Sequence, residues 1–379
     1  LWIRTPYTAQ YFSQFDAVAD EIEGVRENED GMLEARFMAD IGDDALLVSP
    51  RVELPGVDDV DDEEDLPYDE DQIAELYSQL PDIGPEVVPS DCEKLCRVHL
   101  TRVELRADCD DRQLRQIVDY VARRPEITDA VLRTETDLPD SQNEIERMVR
   151  ALRADTEVRS FRMRSRVFHD EPLLYDASVV ERYAALQSLQ VADPVRFELE
   201  TLVLSADQLE DAHRRVVEAF HQHGVTVYLN SCLLHNVNDS AAAMRALSSK
   251  CRRFGFEFHH LYVAGAQTQR HWNSGRPVDL DTIIGIATEL RRNGSGRELP
   301  RLIVSTELGE VDFGPGCHIR RGPRGSMAEI TLWPYTLEYF RAMDPAFTWP
   351  DGVREDQGHP VITMPGLRCG YSWGPSRCP

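Results

Sequence analysis

Val98 to Arg133, VHLTRVELRADCDDRQLRQIVDYVARRPEITDAVLR, contains one complete structural unit. Val98 to Leu105 alternates apolar and polar side chains, the period of a strand. Asp111 to Arg123 then sets Leu114, Ile117, Val118 and Val121 along one stripe of a helix. A second strand is expected at Asp129 to Arg133. The unit repeats downstream, with strands expected at Val158 to Met163, Arg196 to Val203, Val225 to Leu229, Phe256 to Val263 and Leu302 to Ser305. Helical patterns lie between them at Ser141 to Arg153, Ala177 to Leu186, Ala206 to His223, Ser240 to Phe254 and Asp279 to Arg292. Seven strands alternating with six helices make an α/β protein whose parallel strands are joined by right-handed crossovers. Such a sheet is either doubly wound or curled into a barrel, and periodicity alone does not choose.

This core spans residues 91–313. Before it, residues 1–90 read as an irregular N-terminal extension. At its centre lies Asp58 to Asp71, where ten of fourteen residues are acidic. Charge of that density repels itself and buries nothing, so a solvated linker is expected, and no glycine-punctuated calcium-loop spacing is present. After the core, residues 314–379 are rich in Gly, Pro and aromatic residues and read as an irregular tail. Trp333, Tyr335, Tyr339, Phe340, Phe347 and Trp349 are expected to pack the tail onto the domain rather than to cage a ligand. The last ten residues, Gly370 to Pro379, read as frayed.

The chain has 379 residues and a formal net charge of −26, which opposes binding to nucleic acid or anionic lipid. No run of about 18 apolar residues could cross a bilayer. The eight cysteines are irregularly spaced, and no basic stretch followed by an apolar core opens the chain, so a reducing, cytoplasmic setting is expected. The first residue is Leu1 rather than Met, leaving the true start open. Lys94 and Lys250 are the only lysines, so a lysine Schiff base has two candidates.

In parallel α/β proteins ligands sit beyond the carboxyl ends of the strands. Cys92 and Cys96 lie just before the first strand, and His99 follows. Three thiolates at such short spacings hold three irons of a [4Fe–4S] cluster and leave the fourth iron for S-adenosylmethionine. Here the third position is not a cysteine.

Cys92 to Arg102, CEKLCRVHLTR, resembles the CSMYCRHCTR loop of the lysine 2,3-aminomutase family, radical S-adenosylmethionine enzymes that carry pyridoxal phosphate. Gln116 to Leu132 is similar to that family's first helix and second strand, and Gly224 to Asp239, GVTVYLNSCLLHNVND, to its GVPLGNQSVLLKGVND segment. LYVAGAQTQRHW and LRRNGSGRELP, within Leu261 to Pro300, parallel its LYQCDL, EHF and LRGHTSGYAVP features. The likeness runs from about Val87 to Phe313 in one register. It implies a radical-SAM-like partial (β/α)6 TIM barrel.

The reactive positions survive less well than the scaffold. The third cluster ligand falls on His99, or on Leu100 if Val98 is an insertion. The family's GGD turn corresponds to Arg133 to Asp137, RTETD, without either glycine. The aldimine lysine of its GGGGK segment falls on Asp312 or Phe313 in TELGEVDF, and Lys250 reads as a surface residue. Gly265 and Ser305 replace two substrate-binding carboxylates, and ETLVLS, Glu200 to Ser205, lacks the histidines of HFNHP. By resemblance, a retained cofactor pocket would use Arg133, Glu135, Asp137, Ser165, Arg166, Asn230, Ser231 and His271, and a retained metal site Cys92, Cys96 and His99. The matched polar residues serve equally well as scaffold. Ser295 and Gly296 match the SG turn of the family.

Other clusters have simpler readings. His259 and His260 are adjacent on a strand and are expected to face opposite ways. His221 and His223 suit a helix C-terminus. Cys317, Cys369 and Cys378 lack a zinc-knuckle spacing, and Cys109 sits among Asp108, Asp110 and Asp111, which oppose a thiolate. The leading expectation is an aminomutase-like barrel that has lost the [4Fe–4S], S-adenosylmethionine and pyridoxal phosphate chemistry. It would act as a binding or partner subunit, in a homo-oligomer or beside an active homologue; a third possibility keeps the pocket for small-molecule sensing. The alternative is a divergent radical enzyme, an isomerase of an amino acid or related metabolite, with its cluster on Cys92, Cys96 and His99.

Overall fold

The computed structural model describes residues 87–134, 138–165, 167–188, 195–273, 278–296, 298–321 and 327–369, together with three strands nearer the N-terminus. The chain divides into two compact units, Leu1–Leu66 and Pro67–Pro379. In the first, β1 (Trp2–Arg4), β2 (Ile22–Glu27) and β3 (Leu33–Phe37) form an antiparallel sheet in the order β1-β3-β2, where an irregular extension was expected. The acidic run 58–71 lies outside the described residues.

The second unit is built on a ten-stranded sheet. Its strands are β4 (Val88–Pro89), β5 (Leu95–His99), β6 (Arg102–Arg106), β7 (Asp129–Arg133), β8 (Ser160–Arg164), β9 (Arg196–Leu202), β10 (Thr226–Cys232) and β11 (Glu257–Ala264). After the two-residue β12 (Val278–Asp279), which belongs elsewhere, come β13 (Arg301–Thr306) and β14 (Gly309–Asp312). From β6 through β11 to β13 every neighbouring pair is parallel, and helices cover the outside: a mixed α/β, nearly closed barrel-like sheet of the partial TIM type. Val103, Leu105, Phe161, Met163, Phe197 and Leu199 alternate along the strands and fill the layer between sheet and helices, each no more than 1 % exposed. Helices at Asp111–Ala122, Gln142–Asp155, Ala177–Ala185, Asp211–Gln222, Ala241–Phe254 and Leu280–Asn293 match the predicted ones to within two residues at each end, except that the helix expected from Ala206 begins only at Asp211.

Two expectations need correction. Val98 to Leu105 is not one strand: β5 runs antiparallel to β6, and the chain reverses at Leu100 and Thr101. Buried Arg97 fixes that turn, its guanidinium donating to the Leu100 carbonyl (2.6 Å), the His99 carbonyl (3.4 Å) and the Glu126 carboxylate (2.8 Å). The tail is not irregular either. β15 (Cys317–Arg321), β16 (Met327–Leu332), β17 (Arg354–Asp356) and β18 (His359–Arg368) form a sheet with β12 that is antiparallel except at the β12–β18 pair. Ala328, Ile330 and Leu332 alternate inward on β16, a strand period that Gly, Pro and aromatic content obscured.

The sheet's two ends are bridged by the tail. Tyr335 donates its hydroxyl to the Glu310 carbonyl on β14 (2.8 Å), and the Leu100 amide donates to the Tyr339 hydroxyl (3.3 Å). The two rings lie 5.4 Å apart, and Phe340, Phe347 and Trp349 stack behind them. The tail aromatics therefore pack the domain, as the sequence suggested. Phe340 is fully buried at the centre of this cluster, so Phe340→Ala is expected to cost about 3–5 kcal/mol, read as a lowered urea midpoint with an unchanged m-value.

Candidate functional site: a charged barrel interior

In a parallel barrel both faces of the sheet are usually apolar. Here the inward face is charged. Glu104 on β6 pairs with Arg133 on β7 and with Arg164 on β8 (3.3 Å). Arg164 also reaches Glu200 on β9 (2.9 Å), Arg162 reaches Glu200 (3.2 Å) and Glu198 (3.0 Å), and Arg196 pairs with Glu198 (2.5 Å). Cross-strand register explains the order: Arg162 stands opposite Glu198 and Arg164 opposite Glu200. Glu104, Glu198 and Glu200 are all buried. Burial alone would raise the Glu200 carboxyl, but Arg164 and Arg162 outweigh it and hold the group down to about 2. Burial likewise opposes charge on Arg164, and Glu104 and Glu200 overcome it, raising its pKa. Tyr262 on β11 donates to Glu310 (2.9 Å), and burial beside that carboxylate pushes its phenol well up.

The expectation that His259 and His260 face opposite ways is overturned. Leu229 pairs with Phe258 but Asn230 pairs with His260, so His259 is the extra residue of a β-bulge. The bulge turns both imidazoles to one side, with ring centroids 3.9 Å apart. Asn230 then accepts the displaced His260 backbone N–H on its side-chain oxygen (3.1 Å), a scaffold role. Burial and then the neighbouring His260 and Arg162 lower His259 to about 3. Burial lowers His260 to about 3 as well, against the pull of Glu200 and with the push of Arg301, Arg162 and Arg102.

The predicted cluster residues do not converge. Cys92 lies in the turn before β5, where the Leu95 amide donates to the Cys92 carbonyl (3.0 Å); His99 is the last residue of β5, paired with Arg102. The four strand steps from Leu95 to His99 span roughly 13 Å. Cys92 is buried in the hydrophobic core, burial raising its thiol pKa, and Cys96 directs its Sγ to the Val88 carbonyl (3.6 Å). The His99 ring meets Tyr339 edge-on at 5.8 Å. This donor set does not fit one iron–sulfur cube, and among the described residues no group of three His, Cys, Asp or Glu could hold a metal ion. Cys109 is likewise a buried core thiol, its pKa raised by burial. Cys317 and Cys369 are buried, with Cys317 pushed up to about 11 by that burial, while Cys378 lies outside the described residues.

Of the remaining residues, Ser165 accepts the Phe168 amide (2.9 Å) and bonds the Tyr175 hydroxyl, which caps a helical turn. Ser231 is fully buried on β10. Glu135, Asp137 and Arg166 lie outside the described residues, and His271 is in the helix Gln267–Trp272. Lys94 is paired with Asp108 (3.0 Å), and Lys250 sits on the helix Ala241–Phe254 with its ammonium 5.6 Å from the Phe254 ring. Gly265 has φ +85°, and a Cβ there would meet the Ser305 carbonyl at 1.8 Å and the Met364 sulfur at 2.8 Å. A carboxylate at this position is excluded by the backbone and by β18, not merely absent.

No protein-family model matches the chain. It is similar to L-lysine 2,3-aminomutase of Escherichia coli (strain K12), 24% identical over 212 residues. That match covers 56% of this chain, which spans only 58% of the relative's length. Among solved structures it is similar to the aldolase QR15, at 12% identity and a TM-score of 0.24 over 52% of this chain and 86% of that one. The aminomutase likeness and the barrel together support a relationship at the level of a radical-SAM or TIM-barrel scaffold. No helix among the described residues is long and apolar enough to cross a membrane.

Two outcomes follow from the interior charges. Glu200→Gln leaves Arg162 with Glu198 alone and Arg164 with Glu104 alone, and is expected to lower the unfolding free energy by about 1–3 kcal/mol in urea titration. His260 binds its proton at 6.5 when unfolded but only at about 3 when folded. As pH falls from 6.5 the unfolded chain takes up the proton first, so stability drains away, by about 2 kcal/mol at pH 5 from this residue. Urea midpoints between pH 7 and 5 should fall less steeply in His260→Gln.

Proposed function

We propose that this chain is a barrel of the lysine 2,3-aminomutase type that does not perform radical aminomutase chemistry and serves as a binding or partner subunit. The observation that carries the reading is the path of β5: the extended strand Leu95–His99 runs between the turn that holds Cys92 and the position of His99, where a loop would bring them together. Support also comes from the aldimine position, where Asp312 is held in the β13–β14 hairpin and accepts from Arg301 (2.8 Å). The residues at the former substrate carboxylates point the same way, since Gly265 has no room for a side chain. Assembly as a homo-oligomer or beside an active homologue is the role that a scaffold without its chemistry leaves open.

Anaerobic purification and reconstitution with iron and sulfide tests this. Iron well below one atom per chain and no reductive cleavage of S-adenosylmethionine are expected. About four irons per chain with 5′-deoxyadenosine release would overturn the proposal in favour of a divergent radical isomerase. A borohydride-fixed pyridoxal adduct on Lys250 would overturn the part that concerns pyridoxal phosphate.

A further inference from the structure

Among the described residues the large apolar side chains left exposed are two neighbours, Leu173 at 68 % and Leu174 at 46 %. A lone exposed leucine is ordinary, but two side by side form a patch that another molecule can cover. Both lie in the short 3-10 turn Pro172–Leu174, on the segment that follows β8 and so sits at the carboxyl end of the barrel.

The turn is held from both sides. Leu174 donates its amide to the Glu171 carbonyl (3.0 Å) and Tyr175 to the Pro172 carbonyl (3.1 Å). Pro172 and Tyr175, on either side of the leucines, are buried. The Tyr175 hydroxyl bonds Ser165, and its ring meets Phe168 edge-on at 5.2 Å and Phe220 at 6.0 Å. The leucines are therefore presented by a built turn, and covering them costs little further ordering of the backbone.

The surroundings select the partner by charge. The buried His213 imidazole ties this segment to the loop after β9: its Nδ1 accepts the Glu210 backbone N–H (2.9 Å), which leaves Nε2 to donate to the His169 carbonyl (2.8 Å). Asp170, Glu171 and Asp176 on one segment and Asp207, Glu210 and Asp211 on the other are all exposed. Neither residues 167–176 nor residues 205–211 include a Lys or Arg. Arg214, further along the helix Asp211–Gln222, is already taken by Asp211 (3.3 Å) and Glu218 (3.8 Å). Such a rim repels polyanions and anionic lipid. In a two-fold dimer through this patch the same acids would face one another, which disfavours a second copy as the occupant.

We propose that Leu173 and Leu174, inside this acidic rim, are the docking surface for a basic polypeptide segment of a partner protein, one that brings apolar side chains onto the leucines and Lys or Arg onto the carboxylates. The inference deepens the partner-subunit reading and rests on its claim that the chain works through a partner.

The test uses the full chain and three labelled synthetic peptides followed by fluorescence anisotropy: an amphipathic helical peptide of lysine and leucine, its glutamate and leucine counterpart, and a lysine and serine peptide of equal charge. Saturable binding of the lysine and leucine peptide alone is expected, weakened by added sodium chloride. The double variant Leu173→Ser/Leu174→Ser, checked by far-UV circular dichroism, is expected to weaken it at least about tenfold. Should that variant fail to fold, Asp170→Asn/Glu171→Gln carries the comparison, with an expected loss of about threefold. Equal binding of the lysine and serine peptide, preference for the glutamate and leucine peptide, or unchanged binding in the folded variants would overturn the proposal. So would self-association of the unliganded chain in sedimentation velocity that the leucine variant abolishes, since the patch would then belong to a second copy. Failed docking in a chain without iron strikes this surface alone, whereas about four irons per chain strikes the earlier reading whatever the peptides do.

Discussion

The alternation of arginine and glutamate across β6 to β9 is the constraint on which the rest of the interior depends. Four guanidinium groups, on Arg133, Arg162, Arg164 and Arg196, are answered by Glu104, Glu198 and Glu200. Charges withdrawn from water are tolerable only when each has a partner in good geometry, so the register between neighbouring strands cannot slip without stranding one of them. The lattice therefore fixes the strand alignment, and it occupies the face that a small molecule would otherwise reach. A buried lattice of this kind is weak evidence for high stability and good evidence for a specified interior.

Much of the fold was legible in the sequence because the outer faces of the strands and the inner stripes of the helices obey simple periods. Asp129 to Arg133 and the helix at Asp111 show this most directly. The interior was harder. In SFRMR and RFELETL the charged residues recur at every second position, which fits an exposed sheet face as well as an enclosed one, and only closure of the sheet reveals that the face is enclosed. The signal for Arg162, Arg164, Glu198 and Glu200 was thus present in the strands but had no partner until the strands were set side by side.

The histidine pair was missed for a different reason. Strict alternation assumes an unbroken ladder, and a bulge of one residue reverses the prediction for everything on one side of it. Nothing local in FEFHHLYV announces the insertion; it becomes visible only from the pairing with β10. The hairpin at Leu100 is a similar case. Its reversal depends on Arg97 reaching Glu126, twenty-nine positions away in the chain, which no short window contains. Likeness to the aminomutase loop suggested a different path for the same residues, and the geometry of this chain decides between them.

A barrel that stops short of closure has two free borders, each able to recruit a foreign strand. One border here is β4, only two residues long and ending in Pro89, which has no backbone N–H to offer. The other, β14, is four residues long, and its Glu310 carbonyl is already occupied by the tail's Tyr335 hydroxyl. Among the described residues both borders are thus poor templates for an added strand, without a seamless cylinder being needed to hide them.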